Sequence, residues 1–122
     1  MNGENITIEE VFSVAYENKE VQLTSSAKEK IIQSRNYIES QLSTGKAIYG
    51  VNTGFGHFSD VKISDQQIIE LQKNLIRSHC MGIGEPFTKE ETRAIMFLRA
   101  NALARGHSGI RPIVVETILD RS

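Results

Sequence analysis

Four times along the chain a Ser or Thr is followed three residues later by Glu or Gln, at Thr7/Glu10, Ser26/Glu29, Ser64/Gln67 and Thr88/Glu91. In this capping box each side chain satisfies a backbone N–H of a helix's first turn that has no intrahelical partner. Apolar residues at helical spacing follow every one. Ile8, Val11, Phe12 and Ala15 fall at i, i+3, i+4 and i+7, which predicts one buried face on the first helix. Ile31, Ile38 and Leu42 supply the stripe of the second, and Gly45 stands where a left-handed stop is comfortable. Ile68, Leu71, Leu75 and Ile76 point inward on the third. Ile95, Phe97, Leu98 and Leu103 do so on the fourth, which Gly106 ends. Pro112 suits the first turn of a fifth, whose Ile113, Val114, Ile118 and Leu119 run to the chain end without a stop signal. No alternating pattern of useful length predicts a strand. The expected fold class is all-α: capped amphipathic helices around one unusual loop.

Composition narrows the function classes. With 122 residues, residues 1–122 form a single region able to bury a core, and no linker or repeat divides it. Fourteen basic residues against fifteen acidic ones, dispersed along the chain, give no basic face for nucleic acid. The apolar runs are far too short for a membrane span, and no signal peptide opens the chain. One cysteine, Cys80, makes no internal disulfide. The expectation is a soluble, cytoplasmic protein with no nucleic-acid or membrane partner. Cys80 itself reads as a small buried hydrophobe.

The unusual loop lies between the second and third helices: Tyr49-Gly50-Val51-Asn52-Thr53-Gly54-Phe55-Gly56-His57-Phe58. A connector is usually short and polar, whereas this one is aromatic and glycine-rich, the composition of a site. The familiar glycine loops do not fit. No Lys-Ser/Thr follows as a P-loop requires, and neither the spacing nor the strand of a dinucleotide fingerprint is present. His57, His79 and His107 form no metal-ligand pair with one another or with Cys80, so no metal is expected. Gly106-His107-Ser108-Gly109 is not a nucleophile elbow.

Four blocks in register carry a resemblance. Tyr49 through Gly56 resembles the signature loop of the aromatic amino-acid ammonia-lyases. Leu71-Gln72-x-Asn74-Leu75 and then Ser78-His79-x-x-Gly82-Ile83-Gly84 are similar to the same family at the same distance. Arg99 through Leu103 and Gly106 through Arg111 continue the match, which spans about residues 46–115. Ser78 and Gly82-Ile83-Gly84 look like the histidine-specific branch, and the chain resembles the N-terminal part of the larger, mainly helical lyase fold.

The resemblance implies elimination of ammonia from an α-amino acid to give an α,β-unsaturated acid. For L-histidine the product is urocanate, a step of histidine degradation. The β-proton is weakly acidic, so an electrophile and a placed base must both assist. By resemblance Tyr49 is that catalytic base; an ordinary phenol ionises near ~10, so the role calls for surroundings that favour phenolate. His79 matches the position facing the substrate's side-chain ring, where it can hydrogen-bond an imidazole or a phenol. Gly54, Gly56 and Asn52 are the further substrate-binding candidates. The family's electrophile is a 4-methylidene-imidazol-5-one (MIO) formed from an internal Ala-Ser-Gly, and its active sites are shared between subunits of a homotetramer. No Ala-Ser-Gly occurs in these residues. The expectation is therefore an N-terminal fragment with a truncated last helix, inactive alone while its full-length parent is a lyase.

Other readings stay open at this level. A tyrosine or phenylalanine ammonia-lyase or aminomutase of the same family fits the blocks. A non-catalytic helical oligomerisation module would keep the loop without the chemistry. Tyr49 can be an ordinary half-buried residue at a helix–loop boundary, and His79 can simply end a helix where a cation suits the dipole. His57 and His107 read as structural or exposed, and Phe55 and Phe58 as pocket or core.

Overall fold

The computed structural model describes residues 1–54 and 63–122, apart from the side chains of residues 65 and 66. Five α-helices follow in order: α1 (Ile8–Tyr16), α2 (Ser25–Ser43), α3 (Asp65–His79), α4 (Lys89–Ala104) and α5 (Pro112–Asp120). Among the described residues the only extended pairing is an isolated bridge at Thr53, so the helical expectation holds.

The boxes at α1 and α4 form as the pattern demands. Thr7 Oγ1 accepts from the Glu10 N–H at 3.2 Å, and Glu10 Oε2 accepts from the Thr7 N–H at 2.9 Å. Thr88 and Glu91 repeat this at 3.2 and 2.8 Å. Two others differ. At α2 the capping oxygen belongs to Thr24, whose Oγ1 accepts from the Ala27 N–H at 3.2 Å, so the helix begins before Ser26. Competing hydroxyls at 24, 25 and 26 make the exact start a matter of packing rather than pattern. At α3, Ser64 is the N-cap, but its hydroxyl donates to Gln67 Oε1 at 2.9 Å and caps no N–H.

The chain divides into two compact units, Met1–Ile38 with Pro86–Ser122, and Glu39–Glu85. In the first, α4 is the centre, packing on α1 and on α5. Ile31, Ala100, Leu103 and Val115 form its buried cluster, bordered by Met1, Leu23, Ile110, Ile118 and Leu119. On α1 the buried residues are Val14 and Ala15, whereas Ile8 is 84% and Phe12 51% exposed. The predicted face is therefore rotated: small side chains admit α4 closely, and Phe12 stacks on Tyr16 outside, with ring centroids 4.7 Å apart. Ile95 and Leu98 of α4 and Ile113 of α5, expected inward, are also exposed, while Ala100, Ala104 and Val115 take the interior. Helix α4 ends at Arg105, and Gly106 follows at φ +77°, donating its N–H to the Leu103 carbonyl at 3.1 Å. Pro112 opens α5, whose last turn closes at Arg121 with N–H bonds to the Ile118 and Leu119 carbonyls. Lys28 and Glu116 join α2 to α5 at 2.7 Å.

In the second unit no described side chain of α3 is fully buried, and Ile76, expected inward, is 66% exposed. Gly45, at φ +77°, ends the preceding helix as its position predicted, its N–H reaching the Leu42 carbonyl at 3.0 Å. No described helix is long and apolar enough to cross a membrane.

Candidate active-site loop

Tyr49 stands on a turn that begins a few residues after α2 has ended. The Val51 and Asn52 N–H groups return to the Ile48 carbonyl at 3.0 and 3.2 Å, so the chain reverses around Tyr49 and Gly50. Gly50 has φ +74°, a conformation in which a side chain costs ~1–2 kcal/mol. The Tyr49 ring is exposed. Asn52 closes the turn from within. It is 5% exposed, its Oδ1 accepts from the Ile48 N–H at 2.7 Å, and its Nδ2 donates to the Lys46 carbonyl at 2.9 Å. Its own carbonyl accepts from the Ile63 N–H at 3.0 Å, tying the start of the loop to its return. Thr53 is buried and donates its hydroxyl to the Gly54 carbonyl at 2.9 Å; Gly54 is buried beside it.

His79 is the last residue of α3, in the same unit as the loop. Its Nδ1 lies 3.0 Å from the Leu75 carbonyl and 2.9 Å from Ser78 Oγ. The carbonyl can only accept, and the Ser78 hydroxyl itself donates to that carbonyl at 3.1 Å. Both partners therefore call for a proton on Nδ1, and the neutral ring keeps its lone pair on Nε2. The ring is exposed, so Nε2 is an acceptor open to a ligand donor.

Of the residues singled out in the sequence, Tyr49, Asn52, Gly54 and His79 belong to this unit. Gly56, with Phe55, His57 and Phe58, lies outside the described residues. His107 is exposed in the other unit. Cys80 is exposed at the C-cap of α3, not buried as expected, because the helix ends there. A cleft of about 940 Å³ in the first unit, bordered by Lys30, Asn101, Arg105 and His107, contains none of the loop residues. No cluster of metal-ligating side chains occurs among the described residues. The sequence reading missed the hydroxyl that steers His79 and the latch made by Asn52. The Ser78-His79 pair was a visible signal for the first. The second engages only backbone atoms, which no residue type reports.

Comparison with known proteins gives the family of the chain. Residues 6–121 match the model of the aromatic amino acid lyase family. Along 120 residues, 98% of the chain, it is 50% identical to a histidine ammonia-lyase of Caldanaerobacter subterraneus subsp. tengcongensis and 47% identical to one of Geobacillus sp.. It spans 24% of the length of each of these relatives. Among solved structures, tyrosine aminomutase from Streptomyces globisporus superposes with a TM-score of 0.90 at 39% identity, over 98% of this chain and 23% of that one. Histidine ammonia-lyase from Trypanosoma cruzi gives 0.86 at 36%, with the same coverage. The chain belongs to the aromatic amino acid lyase family.

Proposed function

We propose that these residues form the base-bearing part of an ammonia-lyase that converts L-histidine to urocanate. The observation that carries the substrate is the agreement of this chain, along nearly all its length, with histidine ammonia-lyases. The geometry of His79 supports it. With Nδ1–H held by Leu75 and Ser78, a neutral His79 offers Nε2 as an acceptor for the N–H of a substrate imidazole. Tyr49, exposed on its latched turn, takes the β-proton from the substrate. Gly54, and by residue type Gly56, carry no side chain that could stand in the way of a substrate.

The MIO group of this family, when present, is the electron sink that makes loss of the amino group feasible. It is built from Ala-Ser-Gly, and none stands among these 122 residues. The nearby polar groups do not substitute for it, since the Asn52 amide and Thr53 hydroxyl are engaged within the loop. These residues therefore hold and deprotonate substrate, and the 122-residue chain alone turns over none. The intact enzyme is a cytoplasmic homotetramer on this reading.

A second reading, tyrosine as substrate of a lyase or aminomutase, is favoured by the same Nε2, which also accepts from a phenol, and by the aminomutase superposition. Assaying the full-length protein with both amino acids separates the two by their products, an α,β-unsaturated acid by its ultraviolet absorbance and a β-amino acid by chromatography. Tyr49→Phe in that protein is expected to lower turnover by about 10²–10⁴-fold with its circular dichroism unchanged. Near-normal turnover removes Tyr49 from the chemistry, and urocanate released by the 122-residue chain alone refutes its inactivity.

A further inference from the structure

We propose that Asn52 is a positioning residue for Tyr49, acting through the loop backbone and not on the substrate. This rests on Tyr49 being the base, as proposed above. Asn52 is one of two buried polar residues among those described, and the other, Thr53, is its neighbour. Its amide uses both of its chemical faces on the turn that displays Tyr49: Oδ1 on the Ile48 N–H, Nδ2 on the Lys46 carbonyl. Its backbone uses both of its own, N–H to the Ile48 carbonyl and carbonyl to the Ile63 N–H. Tyr49 and Gly50 are thus held between residues whose backbone answers to one side chain. At 5% exposure that side chain offers a substrate almost no surface.

Only an amide fits both partners. An aspartate keeps the acceptor for Ile48 but sets a carboxylate oxygen against the Lys46 carbonyl, and a leucine supplies neither bond. Gly50 at φ +74° lends the turn little stiffness of its own, and the latch adds to the turn's backbone hydrogen bonds in restraining the position of the Tyr49 Cα.

The experiment uses the full-length protein, with L-histidine as the probe and kcat and KM measured for Asn52→Ala, Asn52→Asp, Tyr49→Phe and Asn52→Ala in the Tyr49→Phe background. Asn52→Ala is expected to lower kcat about 10²-fold, the scale of a 1 Å misplacement of a reacting group, with KM changed less than about threefold. Beneath Tyr49→Phe the same substitution is expected to lower the residual rate by less than about twofold, because the residue it positions is already gone. A raised KM with unchanged kcat shows the amide on the substrate and overturns the proposal. So does an equal fold-loss in both backgrounds, which marks general loop damage, or a normal kcat. If Asn52→Ala does not fold, Asn52→Asp, which retains the Ile48 bond, gives the same test, and full activity in it is refuting. Normal turnover in Tyr49→Phe alone overturns the base assignment and this proposal with it, and is read before any Asn52 variant is needed.

Discussion

Replacing Gly106 by alanine tests how the first unit is assembled. Gly106 sits at φ +77° where the chain leaves α4, and a Cβ there would lie 2.8 Å from Lys30 Cβ and 2.9 Å from both the Lys30 carbonyl carbon and its oxygen. Two costs follow. The left-handed backbone costs alanine ~1–2 kcal/mol. Forcing a methyl into backbone that cannot swing aside costs roughly 1–3 kcal/mol more. Against these, alanine restricts the unfolded chain and returns ~0.4–1 kcal/mol. The net expectation is a destabilisation of about 1–5 kcal/mol, centred near 3. Urea unfolding of the 122-residue chain, followed by far-ultraviolet circular dichroism, reads this directly. Gly106→Asn separates the two costs, since asparagine tolerates the left-handed region but still carries the Cβ. If contact with α2 dominates, asparagine recovers less than half of the loss. An alanine variant within about 0.5 kcal/mol of the wild type would refute the close approach, being no larger than an ordinary surface change. Complete recovery by asparagine would refute the steric part alone.

Leu103→Ala, which empties a place shared with Ile31, Ala100 and Val115, is expected to cost about 2–5 kcal/mol in the same unfolding experiment; a loss below about 1 kcal/mol would mean this cluster is not the core. Glu9, at the start of α1, has its carboxyl held below the usual 4.5 by its own backbone N–H and then by the Thr7 hydroxyl, against a smaller desolvation. A depressed carboxylate stabilises above the unfolded value and loses that contribution as pH falls through the lower folded one. A carbon-detected NMR titration is therefore expected to place Glu9 below Glu in an unstructured peptide, with first-turn α1 amides loosening only under more acid conditions. Titration at or above the peptide value contradicts this.

What the sequence made legible was the part of the structure written in local bonds. Thr7/Glu10 and Thr88/Glu91 are read correctly because donor and acceptor sit three residues apart and need nothing else. Ser64/Gln67 shows the limit: the same letters can bond side chain to side chain and leave the N–H groups uncapped. Periodicity found the helices but not which side of α1 is covered. Ile8, Phe12 and Tyr16 form one apolar stripe and Val11, Val14 and Ala15 another, and the choice falls to the small residues that let α4 approach. The loop was conspicuous through its glycines and aromatics. The role of Asn52 within it was not, because its partners at Lys46 and Ile48 are backbone atoms fixed only by the folded turn.

The first unit is discontinuous in the chain, made of Met1–Ile38 and Pro86–Ser122, with Glu39–Glu85 inserted between. Such an insertion taxes its host mainly through loop closure, and doubling the length of a flexible connection costs only ~0.6 kcal/mol. The α1–α4–α5 packing is made entirely of residues on the host side of that insertion. Tyr49 and His79 lie in the inserted unit and the buried cluster of Ile31, Ala100, Leu103 and Val115 in its host, so a substitution at the loop and a substitution in the core perturb different units.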